Sequence, residues 1–357
     1  MSDACVALMG AVFCLVASAE PGPGSAPENG VEDRAPVFHI RERTVEPLLW
    51  ADKPWEDYCV NGGTVLREGE RWRMWYGAYD RNYKRDDDAY LCYAESPDGV
   101  HWTKPVLGLV EYGGNKNNNI LLSGPQAGGF AFSYVFVDEG KSAAEKYKMI
   151  WQRFHEGEQA WQVFGATSAD GMQWALIPKP LSPRNSDTTT TCIPDGGAYR
   201  LYTRIWRGGW GGVRVVGDTE SDHFGDFPDP VEILSHDERD PEGMQFYSNA
   251  ATKLGDRFYV MFPAAFYTRN QTVRSHLAWS ADGVHFTRCG PGPVAALGSK
   301  CNPNGSRAWC LTAPSPSGKS SIWSVLPSPT TRTPPQPPRH IPVSRRAARL
   351  LATRSPA

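Results

Sequence analysis

One short phrase recurs along this chain and limits its fold more than any other feature. Ser96-Pro97-Asp98-Gly99-Val100-His101-Trp102 returns as Ser168-Ala169-Asp170-Gly171-Met172-Gln173-Trp174. It returns again as Ser280-Ala281-Asp282-Gly283-Val284-His285-Phe286, and a degenerate copy reads Ser221-Asp222-His223-Phe224. Asp-Gly is a tight-turn pair, because Gly takes positive φ without steric cost and Asp tolerates it. The aromatic residue three positions after the Gly opens a return strand and supplies buried area.

An apolar strand precedes each copy: Met74-Trp75-Tyr76, Met149-Ile150-Trp151, Leu201-Tyr202-Thr203 and Val260-Met261-Phe262. A shorter strand candidate lies upstream each time, at 64–66, 134–136, 191–193 and 250–252. The unit is therefore three strands, an Asp-Gly turn and a fourth strand. Such units predict an all-β chain, and a four-stranded antiparallel unit repeated about an axis is a propeller blade. A β-sandwich with similar hairpins is the competing architecture. Four blades are expected, at 47–110, 115–180, 185–230 and 240–290. A fifth has to come from the tail, where Ile322-Trp323-Ser324-Val325-Leu326 is the one tolerable strand.

The ends of the chain differ from this middle. Residues Ala4 to Ala19 are almost wholly apolar and close on Ala17-Ser18-Ala19, the pattern of a cleaved signal peptide. The expected organisation is a signal peptide over 1–19, a linker or strand over 20–46, the propeller over 47–290 and a disordered tail over 291–357. The implied location is secreted or periplasmic, with no membrane span. From Val284 onward the chain holds ten of its 37 Lys and Arg and none of its 39 Asp and Glu. That tail is also rich in Pro and Ser, which is the composition of a segment without a core. The formal net charge of -2 gives no global sign of a nucleic-acid partner. Cys59, Cys92, Cys192, Cys289, Cys301 and Cys310 remain after the apolar start, with no C-x-x-C pair, and read as scattered thiols.

Arg73-Met74-Trp75-Tyr76-Gly77, Tyr93-Ala94-Glu95-Ser96-Pro97-Asp98-Gly99-Val100-His101-Trp102 and Lys104-Pro105 resemble blades of a known group. It is the five-bladed propeller superfamily of arabinanases, β-xylosidases, invertases and levansucrases. Gly108 to Tyr112 and Asn117-Asn118-Asn119-Ile120-Leu121-Leu122 are similar to its bacterial family 32- or 43-like branch. The resemblance covers about residues 47 to 290 and implies a sugar bound at one mouth of an axial channel. It also implies three carboxylates, each from the first strand of a different blade. After Cys289 the blade pattern stops, which leaves ring closure open.

Glycoside hydrolysis needs two acids across the scissile bond, one to protonate the leaving oxygen and one to activate water or attack carbon. The places to look are just before each inner strand. In blade one, Trp55-Glu56-Asp57 supplies Asp57 as candidate base, with Glu56 its competitor. Before blade three, Asp187 matches the position where members of the resembled group carry an Asp that orients the general acid. Before blade four, Arg239-Asp240-Pro241-Glu242 supplies Glu242 as candidate general acid, with Asp240 next. Flat aromatic faces and polar forks bind sugars, which nominates Trp55, Trp206, Trp210 and Tyr247, with Arg204 and Arg207 for hydroxyls or anionic substituents.

Other chemistries find little support. The eight His show neither H-x-x-x-H nor H-E-x-x-H spacing, so no metal site is expected. No G-x-S-x-G marks a serine nucleophile. Gly208-Gly209-Trp210-Gly211-Gly212 lacks the strand–helix setting of a phosphate loop. No cofactor is expected, and a structural calcium has no ligands named by the sequence. Three functions stay open, with an oligo- or polysaccharide as the expected partner: a glycoside hydrolase, a non-catalytic glycan-binding or interaction propeller, and a sugar phosphorylase with basic side chains around a single acid.

Overall fold

The computed structural model describes residues 3–8, 11–18, 37–40, 48–140, 142–184, 186–254, 258–289 and 321–322. Blade one consists of Cys59–Glu68, Arg71–Tyr79, Tyr90–Ser96 and Ile120–Ser123, in that spatial order. Blade two is Ala131–Val137, Tyr147–His155, Ala160–Ser168 and Ala175–Leu176. Blade three is Thr191–Asp195, Ala198–Arg207, Val213–Ser221 and Val231–Leu234. Blade four is Ala251–Leu254, Phe258–Met261, Ala278–Ser280 and Thr287–Arg288. A companion sheet of Met244–Ser248, Ala264–Tyr267 and Thr272–Ser275 extends blade four at one end.

The core lies between blades, because side chains alternate across a strand and each blade is buried on both faces. Trp75, Leu91 and Tyr93 of blade one meet Val135, Met149 and Trp151 of blade two. The other face of blade two carries Phe136, Ile150 and Val163 against Cys192, Tyr199 and Leu201 of blade three. Ile193, Tyr202 and Val216 then pack on Tyr259, Met261 and Ala278 of blade four. The inner strands of successive blades also touch. Sheets stacked face to face in series, with their first strands together, make the expected all-β propeller of four-stranded antiparallel blades. Cys59, Cys92 and Cys192 are buried, and Cys289 is exposed.

The three Asp-Gly phrases adopt one geometry. Ser96 Oγ accepts the amides of Asp98 and Gly99 at 3.2 and 2.8 Å, and Asp98 Oδ1 accepts those of Val100 and His101, both at 2.8 Å. Ser168 with Asp170, and Ser280 with Asp282, repeat the set. Gly99, Gly171 and Gly283 sit at φ 75, 74 and 80°, where a Cβ is strained. In blade one, the return strand expected after Trp102 is reduced to a bridge between Glu95 and Thr103. The outer strand comes later, at Ile120–Ser123, because Asn118 and Asn119 re-enter the core. Asn119 accepts from Trp55 Nε1 at 2.9 Å and donates to Tyr76 Oη and the Tyr93 carbonyl.

A second repeat is invisible in the motif itself. At the end of the molecule where the Asp-Gly turns lie, Tyr147 donates to Glu68, Tyr199 to Asp138 and Tyr259 to Asp195. Each tyrosine is the first or second residue of its blade's second strand, opposite the motif Ser, and each carboxylate lies at the end of the preceding blade's inner strand. Lys146, Lys148 and Lys253 add a cation to the respective pair.

Outside the blades, Asp3–Leu8, Ala11–Ser18 and Val37–Ile40 form an antiparallel sheet whose first strand contacts the inner strands of blades one and four. Ser321–Ile322 pairs with Trp50 and Leu49. The rest of the expected tail, and most of the expected linker, lie outside the described residues. Among the described residues no helix is long and apolar enough to cross a membrane.

Candidate functional site

The inner strands begin at the end of the molecule opposite the Asp-Gly turns, and five of the predicted site residues come together there between blades three and four. In the second strand of blade three, Tyr202, Arg204 and Trp206 alternate onto one face. Tyr202 belongs to the cluster shared with blade four, so Arg204 and Trp206 face blade four above it. Arg214 is the cross-strand partner of Trp206. Between them Gly208, Gly209 and Gly211 hold φ of 85 to 87°, a sharp reversal that lifts Trp210 into solvent, 57% exposed. The Trp210 and Trp206 rings remain 5.1 Å apart.

Blade four supplies the facing wall. Gln245 and Tyr247 alternate with the buried Met244 and Phe246, and their contacts with Arg214 and Arg204 turn them toward blade three. The Arg204 guanidinium lies 4.6 Å from the Tyr247 ring and 5.1 Å from the Trp206 ring, and donates to the Tyr247 carbonyl at 3.0 Å. Arg204 is 1% exposed and pairs with Asp187, which precedes the inner strand of blade three. Arg214 stacks at 4.5 Å from Trp206 and 5.4 Å from Phe266, and donates to Gln245 Oε1 at 2.9 Å. Burial lowers the Arg204 guanidinium to about 10, and nearby Arg214 pushes in the same direction. Two guanidiniums are thus interleaved with aromatic rings beside one carboxylate, a geometry suited to flat, hydroxyl-rich ligands.

The opposite face of the same strand carries buried hydroxyls, and others join the inner strands. Thr203 Oγ1 donates to Ser186 Oγ at 2.9 Å, and Thr190 and Thr203 are 3.0 Å apart. Thr191 Oγ1 accepts the Ala251 amide at 3.2 Å, joining the inner strands of blades three and four. Thr64 Oγ1 does the same for Val135 between blades one and two, at 2.8 Å.

Of the residues expected from the sequence, Asp187, Arg204, Trp206, Trp210 and Tyr247 are brought together. Arg207 points to the opposite face of its strand and forks onto Glu232. Trp55 and Glu56 lie in the short 3-10 turn Pro54–Glu56, folded over the face of blade one that blade two does not cover. Glu56 is 0% exposed, 2.6 Å from Lys104 Nζ and 2.6 Å from Tyr76 Oη. Asp57 accepts the Arg81 amide at 2.8 Å and is half-exposed. Asp240 is held by Arg288 at 2.7 Å, with its side chain 1% exposed. Glu242 stands 92% exposed beside Arg269. None of these four carboxylates has a contact to the Arg204–Arg214 cluster.

Arg214, Gln245 and Phe266 escaped the sequence reading. Arg214 was within reach of it, since a tight glycine loop after Arg207 places residue 214 across from Trp206. Gln245 and Phe266 were not, because the companion sheet of blade four has no counterpart in the other blades. Among the described residues, no group of three or more His, Cys, Asp or Glu is placed to hold a metal ion.

No family model matches the chain. An uncharacterized protein of Mycobacterium tuberculosis is 27% identical over 179 residues, 47% of this chain and 50% of that one. The chain thus spans half the length of the curated relative it matches. Among solved structures, one is similar at a TM-score of 0.53 and 14% identity, covering 77% of this chain and 86% of the other. It was reported for a family of mannoside phosphorylases containing glycoside hydrolases that target β-1,2 mannosidic linkages in Candida mannan. A glycosyl hydrolase from Bacteroides ovatus is similar at 0.52 and 15% identity, over 76% and 86% of the two chains. An N-acetylgalactosamine deacetylase from F. plautii in complex with a blood group B trisaccharide is similar at 0.51 and 18%, over 71% and 76%. These identities establish likeness of fold: the chain shares its β-propeller with carbohydrate-active enzymes.

Proposed function

We propose that this protein is carbohydrate-active and holds an oligo- or polysaccharide at the mouth between blades three and four. The observation that carries this reading is the convergence of Trp210, Trp206 and Tyr247 with Arg204, Arg214 and Asp187. Sugar rings offer CH faces to aromatic planes and hydroxyls to fixed polar forks, and this cluster supplies both. Trp210 is 57% exposed on a glycine loop, with one face free to solvent beside a polar cluster, and this placement supports ligand contact. The fold-level likeness to carbohydrate-active enzymes, and the resemblance of the blade motifs to the family 32- or 43-like branch, support the same reading.

Binding without cleavage is the form the geometry favours. Asp187 is engaged by Arg204, and hydrolysis requires a second carboxylate about 5 to 9.5 Å away. Hydrolysis is the second reading, favoured by the position of Asp187 at the mouth, with Asp57 as its candidate base. The test is glycan-array and calorimetric binding by purified protein, with mass-spectrometric detection of products. Binding that Trp210→Ala abolishes, without products, supports the binding form. Products that disappear in Asp187→Asn establish the hydrolytic one. Absence of binding to any glycan refutes both.

Export is part of the proposal, with cleavage after Ala19. Mass spectrometry of the mature N-terminus decides it: a chain starting at Met1 overturns the leader.

A further inference from the structure

The mouth carries more positive charge than hydroxyl binding requires. Arg204 is buried and has Asp187 for its carboxylate. Arg214, half-buried on the next strand, meets no carboxylate among the described residues. Its hydrogen-bond partner is the neutral Gln245 side chain, and its other neighbours are the rings of Trp206, Tyr247 and Phe266. Two guanidiniums against one carboxylate leave about one uncompensated positive charge where low dielectric magnifies it. The Nε atoms of Arg204 and Arg214, and Trp206 Nε1, are buried without a hydrogen-bond partner. Buried donors are ordinarily satisfied, and three unsatisfied ones around a surplus charge mark a place built to receive an acceptor.

Arg207 gives the internal comparison. It lies one residue beyond Trp206, on the outward face, and there it is fully matched by Glu232. The outward arginine has its own carboxylate, whereas the inward Arg214 does not.

We propose that this mouth selects glycans bearing a negative substituent, with Arg214 as the partner of the anion and Trp210 and Trp206 as the platform for the ring. The shared chemistry is a planar or tetrahedral oxyanion, a uronate carboxylate or a sulfate ester, that a guanidinium grips through two parallel N–H donors. The inference rests on the glycan-binding reading above and names its substrate class.

The experiment compares three ligands of equal length by calorimetry on the full chain: trigalacturonate, a monosulfated galactotriose and neutral galactotriose. One or both charged ligands bind at least tenfold tighter than the neutral one, and raising NaCl from 50 to 300 mM shrinks that ratio. Arg214→Gln brings the ratio near one, while Arg214→Lys keeps part of it. Preference for trigalacturonate alone assigns a uronate, and preference for the sulfated ligand alone assigns a sulfate ester. Equal affinity for all three overturns the inference and leaves glycan binding standing. Loss of binding in Trp210→Ala with the ratio intact in Arg214→Gln also overturns it. No binding of any ligand overturns both readings. Thermal melts of each variant separate misfolding from lost recognition.

Discussion

Trp75 Nε1 donates to the Gly171 carbonyl at 2.6 Å, so the second strand of blade one holds the Asp-Gly turn of blade two. Tyr202 Oη does the same for the Gly283 carbonyl at 2.8 Å, from blade three to blade four. Each donor sits three residues beyond the strand-two residue that faces the motif Ser, the register pairing Trp72 with Ser96 and Tyr199 with Ser221. In blade two that place is Ile150, which has no donor, and the turn that follows, at Ser221, is the degenerate one without Gly. In these three successive blade pairs the donor occurs where the following turn carries its Gly.

This latch makes a differential prediction for glycine. A Cβ on Gly171 would stand 2.8 Å from the Trp75 ring and 3.2 Å from the Arg73 guanidinium, at φ 74°. On Gly69 it would meet nothing within 4 Å, at φ 61°. Left-handed backbone alone costs about 1–2 kcal/mol. Gly69→Ala is expected to lose about 1 kcal/mol and Gly171→Ala about 3, the difference being overpacking. Urea denaturation measures both, and equal losses would show that Trp75 does not constrain the turn.

Asp218 predicts a pH dependence. Burial raises its carboxyl to about 6, against the pull of Arg200 at 2.7 Å. The folded value lies above the unfolded value of 3.8, so the protonated form favours folding. Its contribution is complete below pH 3.8 and is lost as pH rises through 6. Asp218→Asn removes that titration. The stability of wild type minus that of the variant should fall between pH 4 and pH 7, by at most about 3 kcal/mol. A difference flat across that range in urea melts would show that Asp218 titrates normally.

The buried pair of Glu56 and Lys104 predicts a recovery. Glu56 also accepts the Tyr76 hydroxyl and the Asp52 amide, so its charge is fully engaged. Glu56→Gln leaves Lys104 in the core with half-exposed Asp52 as its carboxylate, and should cost about 3 kcal/mol. Adding Lys104→Met removes the stranded charge and should restore part of the loss. Additive losses in the double-mutant cycle would contradict the coupling.

The two mouth tryptophans should separate in stability. Trp210 is exposed and touches Trp206, so Trp210→Ala should leave the melting temperature within about 1 °C, as surface changes do. Trp206 carries both guanidiniums on its faces, and Trp206→Ala should cost about 3 kcal/mol. Scanning calorimetry of the two variants reads the difference.

The blades were legible in the chain because their information is local. Ser-x-Asp-Gly forms its hydrogen bonds within four residues, and the flanking apolar alternation needs no distant partner to be recognised. The same locality made Asp187, Arg204, Trp206, Trp210 and Tyr247 visible as residues bordering inner strands. What tertiary structure decided was which face each of them takes and what waits there. Trp55 and Asp57 are two positions apart, yet the turn that holds them folds Trp55 and Glu56 into the flank of blade one, where Asn119, 64 residues after Trp55, accepts its indole. Glu242 and Asp240 are also two residues apart, and packing against Arg288 buries one while the other stays in solvent. Strand pairing placed Arg214 across from Trp206, and the companion sheet of blade four brought Gln245 and Phe266 against it. Charge balance at a mouth depends on contacts between distant segments, and no short window of sequence contains them.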